Sequence, residues 1–298
     1  MNIAVTGASG LVGSALVPFL TSAGHRVVRL VRSPPRAESE GVQWDPDRGI
    51  KELALLEGLD AAVHLAGANI AEGRWTPERK RLIRKSRVAG TRNLTETLLR
   101  LSTPPKVLLC ASAIGYYGDR GEEVLGEESA AGTGFLPEVC KEWEKATHLA
   151  EERGVRVIHA RLGIVLASHG GALAKMLPPF RFGVGGVLGN GMQYMSWIAL
   201  DDVVGALHHV LLSAQLVGAV NLVAPQAVTN REFTKTLGRV LRRPTLLPFP
   251  AFAARLAFGE MADALLLASA RVEPRQLLAT GYVFRYGALD AALRQVLA

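Results

Sequence analysis

The chain has 298 residues, 49% hydrophobic and 20% charged, the composition of an ordinary soluble globular protein with ample core. Its net charge of +7 would suit nucleic acid, yet no zinc-finger signature, RNA-recognition signature or aromatic stacking platform accompanies it. Two distant cysteines, Cys110 and Cys140, exclude a disulfide framework and offer no metal-ligand spacing, which fits a reducing, cytoplasmic setting.

The elements follow in chain order. NIAVTG (Asn2 to Gly7) reads as a short buried strand. GLVGSALVPFLTSAG follows as a helix, with Gly24 as a helix-ending glycine. HRVVRLVR is the next strand, GVQW a weaker one, and DAAVHLAG (Asp60 to Gly67) a strong one. The basic run RWTPERKRLIRKSR (Arg74 to Arg87) opens a helix over Pro77 to Leu101. Such a charge run reads first as a solvated face, and second as a site for an anionic small ligand. KVLLCASA is a buried strand, with Cys110 a small hydrophobe inside it. PEVCKEWEKATHLAEERG is a helix ending at Gly154, and VRVIHARLG is a strand. This alternation predicts parallel βαβ units: an α/β fold with a doubly wound sheet.

The pattern changes at GVGGVLGNGMQYMSWIAL (Gly183 to Leu200), a turn-rich excursion with hairpin-like GG and NG pairs. DDVVGALHHVLLSA is a helix, and GAVNLVAP reads as a last strand of the main sheet. From about Gln226 the chain is mainly helical, with Thr229 or Asn230 a candidate cap. The expected organisation is a nucleotide-binding domain over 1–225, its excursion at about 167–200 joining a smaller, mainly helical lobe over 226–298. No apolar run reaches the roughly 18–20 residues of a membrane span, and the N-terminus lacks a basic leader with a cleavage site. The expected partner is a small molecule, not nucleic acid or a membrane.

TGASGLVG places Gly7, Gly10 and Gly13 between a strand and a helix. Gly7 permits the sharp turn, Gly10 lets backbone N–H groups approach a pyrophosphate, and Gly13 lets helix and strand pack closely. The helix N-terminus adds about half a positive charge. At the end of the second strand an acid would bond a ribose 2′-hydroxyl, and an arginine a 2′-phosphate. Here the strand ends RLVRSP, with Arg32 and Ser33 and no acid, which predicts NADP over NAD.

TGASGLVG, DAAVHLAG, SRVAGT, SAIGYYG and SWIALDDVV, in that order, resemble the extended short-chain dehydrogenase/reductases. CKEWE and the block RVEPRQLLATGYVFRYGALDAALRQVL resemble that family's atypical epimerase-like subgroup, and the resemblance covers essentially the whole chain. It implies a Rossmann domain under a smaller C-terminal lobe. Gly7, Ser9, Gly10, Leu11 and Val12 would face the pyrophosphate; Leu65, Ala66 and Gly67 would lie along the adenosine side. Arg87 would either reach toward the cofactor or form a structural ion pair. Ile164 would contact the nicotinamide. A homodimer through helices of the Rossmann domain is a further expectation. His64 reads as a hydrogen-bonded structural histidine, and the adjacent His208 and His209 as poor metal ligands.

Active members of that family carry a serine after the fifth strand, then a tyrosine and, four residues on, a lysine that brings the phenol toward general-acid/base range. Ser112 fits the serine. Anchoring the helix on Trp143 and Glu144 puts the other two positions at Leu136 and Cys140, which cannot do that work; Lys141 lies about 100° around the helix. Tyr116 or Tyr117 supplies a hydroxyl from another direction. Two readings follow: an NADP-dependent oxidoreductase or epimerase-like enzyme using Ser112 and Tyr116, or a non-catalytic NADP-binding sensor or scaffold.

Overall fold

The computed structural model describes residues 1–33, 41–50 and 52–298; Pro34, which closes RLVRSP, lies outside them. The first half runs β1 (Asn2–Thr6), α1 (Leu11–Ser22), β2 (Arg26–Val31), β3 (Val42–Asp45), β4 (Gly49–Ile50), β5 (Ala61–His64), α2 (Pro77–Leu98) and β6 (Val107–Ala113). A 3₁₀ turn, Ile114–Tyr116, leads through β7 (Val124–Leu125) to α3 (Phe135–Lys145), α4 (His148–Glu152) and β8 (Arg156–Leu162). Then come β9 (Ile164–Leu166), α5 (Gly171–Arg181), β10 (Tyr194–Met195), β11 (Trp197–Ala199), α6 (Leu200–Leu212) and β12 (Gly218–Leu222). The last segment holds β13 (Val228–Thr229), α7 (Asn230–Leu241), α8 (Ala251–Phe258), a π-helix (Ala262–Leu267), β14 (Arg271–Val272), α9 (Arg275–Ala279) and α10 (Leu289–Leu297).

Among the described residues, eight strands form one sheet in the order β12-β8-β6-β5-β1-β2-β3-β4, parallel except for β4. The order reverses direction at β1, which leaves a crevice at the carboxyl ends of β1 and β5, where such sheets bind ligands. Strand side chains alternate between two cores, as a period of two requires. Ile3, Val5, Leu109 and Ile158 pack with α1 and α6 on one face. Ala4, Leu108, Cys110 and Val157 pack with Leu94 and Leu98 of α2 on the other. The sheet is thus doubly wound, as its βαβ pattern predicts.

Three details differ from the sequence reading. The long helix before β8 breaks into α3 and α4 at Ala146 and Thr147, where the Thr147 hydroxyl donates to the Glu144 carbonyl at 2.8 Å. Helix α2 ends at Leu98, with Thr76 as its N-cap. The NG pair makes a turn at Gly191, φ +76°, but its flanks do not form a hairpin: β10 pairs with β13 and β11 with β9.

Polar clamps on α6 and just ahead of β11 help to hold the last segment. Asp202, fully buried at the start of α6, accepts from the backbone N–H groups of Arg285 and Tyr286 at 2.7 and 2.9 Å. The Ser196 hydroxyl donates to the Ala270 carbonyl and accepts from Val272 N–H. The α5 and β11 residues Leu173, Leu177 and Trp197 share a core with Phe233, Leu237 and Leu293. At the start of α7, Thr229 and Glu232 close a capping box, so Thr229 is the cap.

Candidate active site and its family

The loop after β1 shows why three glycines stand there. Gly7 adopts φ +66°, and a Cβ on it would sit 2.8 Å from the Leu65 carbonyl carbon. A Cβ on Gly13 would lie 2.2 Å from the Gly7 carbonyl oxygen, so only glycine lets α1 close over the loop. Gly10 is the N-cap of α1 and supplies no capping side chain, and no acid stands in the first turn. The N–H groups that open the helix therefore face outward without a side-chain acceptor, a ready anion site. Ser9 and Gly10 are exposed beside them; the Leu11 side chain packs on Gly170 and Gly171, and Val12 on the sheet core. A pyrophosphate fits this donor set.

The crevice floor is held by Thr6. Its hydroxyl oxygen accepts the Leu65 and Ala66 N–H groups at 3.1 and 3.2 Å. Both lone pairs are then used, so its own proton goes to His64 Nδ1 at 2.7 Å. That leaves the imidazole proton on Nε2, which has no conventional partner and meets the Trp44 ring edge-on, centroids 5.6 Å apart. Burial pushes the His64 pKa down to about 4. His64 is structural, as the sequence suggests. Past Ala66, Gly67 is exposed. Arg32 and Ser33 stand exposed beyond the carboxyl end of β2.

Arg87 forms no ion pair among the described residues. Its Nη1 donates to the carbonyls of Ala68 at 3.0 Å and Ile83 at 3.3 Å, and its guanidinium lies 5.0 Å from the Trp143 ring centroid. A Cβ on Gly67 would be 3.5 Å from the guanidinium carbon. Burial lowers its pKa. This is a cation at the crevice rim without a compensating carboxylate. Ile164 is half-buried at the start of β9, its side chain packed on the core shared with α5 and α7.

On the other side of the crevice the structure brings Ser112 and Tyr116 together through Glu144 and Arg161, to which the sequence assigned no role in the site. Ser112, at the end of β6, is 2% exposed, and its hydroxyl donates to Glu144 Oε1 at 2.7 Å. Glu144 accepts a forked pair from Arg161, Nε to Oε1 and Nη2 to Oε2, both 2.8 Å. Burial opposes the Arg161 charge, but the Glu144 hydrogen bonds and charge outweigh it and raise its pKa. Arg161 Nη1 donates to the Tyr117 hydroxyl at 3.0 Å, which donates to Asn221 Oδ1 at 2.8 Å. The Arg161 guanidinium carbon lies 3.5 Å from the Tyr116 ring centroid. Tyr117 is fully buried within this network, and burial, more than the opposing Arg161 charge, raises its pKa. Tyr116 is half-buried, and its hydroxyl has no hydrogen-bond partner among the described residues.

Leu136 and Cys140 do stand over this turn: a Cβ on Gly115 would lie 3.5 Å from Leu136 Cβ and 3.9 Å from Cys140 Sγ. Burial, then the neighbouring Glu144, pushes the Cys140 thiol up to about 12, which disfavours the thiolate that a nucleophile needs. Lys141 is exposed. His208 pairs with His25, Nε2 to Nε2 at 2.9 Å, while His209 meets Thr280, and no metal-holding cluster exists among the described residues.

A profile of the NAD dependent epimerase/dehydratase family matches residues 3–222, and a domain of unknown function (DUF1731) matches 249–296. The chain belongs to that family. An epimerase family protein of Mycobacterium bovis is 44% identical over 291 residues, spanning 98% of this chain and 96% of that one. The crystal structure of human epimerase family protein SDR39U1 (isoform 2) with NADPH is 34% identical, with TM-score 0.92 over 99% of both chains. A nucleoside-diphosphate sugar epimerase from Corynebacterium glutamicum is 37% identical, with TM-score 0.80 over the whole of this chain and 58% of that one. As a member of the epimerase family, the chain has the family's doubly wound sheet and a helical C-terminal portion, and none of its described helices is long and apolar enough to cross a membrane.

Proposed function

We propose that this chain is an NADP(H)-dependent oxidoreductase or epimerase-like enzyme that moves its proton at Tyr116 rather than at a Tyr-x-x-x-Lys pair. The observation that carries this is the Tyr116 phenol: half-buried, held by its ring against the Arg161 guanidinium, and with its hydroxyl unpaired among the described residues. When bound, NADP(H) supplies or accepts the hydride. The open N-terminus of α1 holds the pyrophosphate, and the floor at Leu65 to Gly67 carries the adenosine side. Arg32 and Ser33 take the 2′-phosphate, and Ile164 borders the nicotinamide. The NADPH held by the human relative supports this choice of cofactor. Ser112 serves by orienting Glu144, because its proton is already donated there. Two unpaired, buried thiols support a reducing compartment such as the cytoplasm. Tyr116→Phe is expected to abolish NADPH-dependent turnover while leaving NADPH affinity unchanged; undiminished turnover removes Tyr116.

The second reading, a non-catalytic NADP(H)-binding protein, is favoured by Leu136 and Cys140 standing over Gly115. Stoichiometric NADPH binding without hydride transfer over a broad carbonyl and nucleotide-sugar panel supports it.

A further inference from the structure

We propose that the substrate end of the cleft takes a carbonyl compound with an apolar body, alkyl or alicyclic, and not a nucleoside-diphosphate sugar. This rests on the function proposed above and names the substrate class of the same site.

The first observation is the surface beside the turn that carries Tyr116. Leu136, where a proton-transfer tyrosine would stand, packs into an apolar cluster with Trp75, Ile83 and Met261, joined by Ile70, Phe135 and Leu265. Leu136, Ile70 and Leu265 are only half-buried, as is Ile114 on the turn itself. At this cluster the C-terminal segment meets α3 with the apolar side chains of Met261, Ala264 and Leu265. Leu265 sits in the π-helix Ala262–Leu267, a local widening that recurs at functional sites.

The second observation is charge. A diphosphate needs cations, and the basic run Arg74 to Arg87 is the obvious source beside this cleft. Its cations already have partners, several of them in exposed surface pairs. Arg79 pairs with Glu72, Lys80 with Glu260, Arg81 with Glu78, Arg84 with Glu142, and Lys85 with Asp47. Arg74 donates to the carbonyls of Leu256 and Ala257 at the end of α8. Arg87 has no ion pair among the described residues, and it lies under Gly67, on the cofactor side.

The third is continuity. The Arg74 contacts dock α8 on the loop that holds Trp75, and α8 presents Phe252 and Leu256 to solvent at 71% and 76% exposure. An apolar ligand meets an apolar approach, whereas a diphosphate finds the cations of the basic run already paired; Arg271, which has no ion pair among the described residues, lies against the Tyr194 ring instead, 5.0 Å from its centroid.

The test is calorimetric titration of the protein saturated with NADP⁺, which cannot reduce a ketone. The probes are 2-butanone, 2-hexanone, 2-octanone and 2-decanone, with UDP-glucose as the opposite class. The ketone Kd is expected to tighten roughly three- to fourfold per added methylene, with no UDP-glucose binding at millimolar concentration. Leu265→Asp is expected to weaken 2-decanone at least about tenfold with NADP⁺ affinity unchanged. Leu136→Asn serves if that variant does not fold. UDP-glucose binding at millimolar concentration, a flat or absent ketone series, or chain-length dependence that survives the substitution each overturns the proposal. Failure of NADP⁺ itself to bind overturns the proposed function instead; the same ketone series on cofactor-free protein then judges the apolar site alone.

Discussion

Glu144→Gln removes one charge from the least exposed ion pair of the site, where the two side chains are 5% and 13% exposed. The carboxylate receives three hydrogen bonds, one from Ser112 and two from Arg161. An amide accepts through one oxygen only, so its NH₂ group would face either Arg161 Nη2 or the Ser112 hydroxyl and Arg161 Nε, donor against donor. Arg161 would stay buried without an opposing charge, which typically costs about 3–5 kcal/mol. At about 2.1 cal/mol/K per residue, 298 residues give an unfolding entropy near 0.6 kcal/mol/K, so the expected fall in Tm is about 5–8 °C. The assay is calorimetric unfolding of the wild type, Glu144→Gln, Arg161→Met and the double substitution Glu144→Met/Arg161→Met. The double variant is expected to lose less than the two single losses added together, because no unpaired charge remains. A Glu144→Gln protein within 1 °C of the wild type would show that the network does not hold the site, and the positioning of Tyr116 would need another cause.

Other expectations follow from the same geometry. His64 is neutral when folded, with a pKa near 4, and titrates near 6.5 when unfolded. The unfolded chain therefore binds the extra proton between those values, and stability falls as the pH drops from 6.5 toward 4, by about 3 kcal/mol from this group. Urea unfolding of the wild type and His64→Gln at pH 7 and 4.5 checks it; equal pH dependence in both refutes it. Gly13→Ala pushes a methyl to 2.2 Å from the Gly7 carbonyl oxygen and is expected to weaken NADPH binding at least about tenfold; an unchanged Kd by fluorescence titration contradicts the loop's role. Tyr117→Phe deletes a hydroxyl that both accepts from Arg161 and donates to Asn221, and is expected to cost about 2 kcal/mol in urea unfolding. A loss below 0.5 kcal/mol would contradict its place in the network.

Much of the fold was legible because its signals are local. Gly7, Gly10 and Gly13 lie within seven residues, and Gly7 and Gly13 each answer a steric demand of that short span. The alternation of apolar strands with helices fixed the doubly wound sheet. What was not legible depends on partners far apart in the chain. Glu144 and Arg161 meet across 17 residues, and Tyr117 meets Asn221 across 104. No spacing announces either contact. Whether the Ser112 proton faces a substrate or Glu144 is decided only by that tertiary neighbour. The one available signal was Arg161 itself, a charge inside the apolar strand VRVIHARLG, which demands a buried partner. The NG turn misled for the same reason: Gly191 turns the chain, but β10 and β11 find their partners in β13 and β9, elsewhere in sequence.

The most direct test of the account is a fluorescence titration of the nucleotide-stripped protein with NADPH and, separately, NADH, repeated on Arg32→Ala. The open helix N-terminus and Arg32 predict stoichiometric NADPH binding, at least about tenfold tighter than NADH, with the preference lost in Arg32→Ala. Binding of neither nucleotide, or equal affinity for both in the wild type, would contradict it.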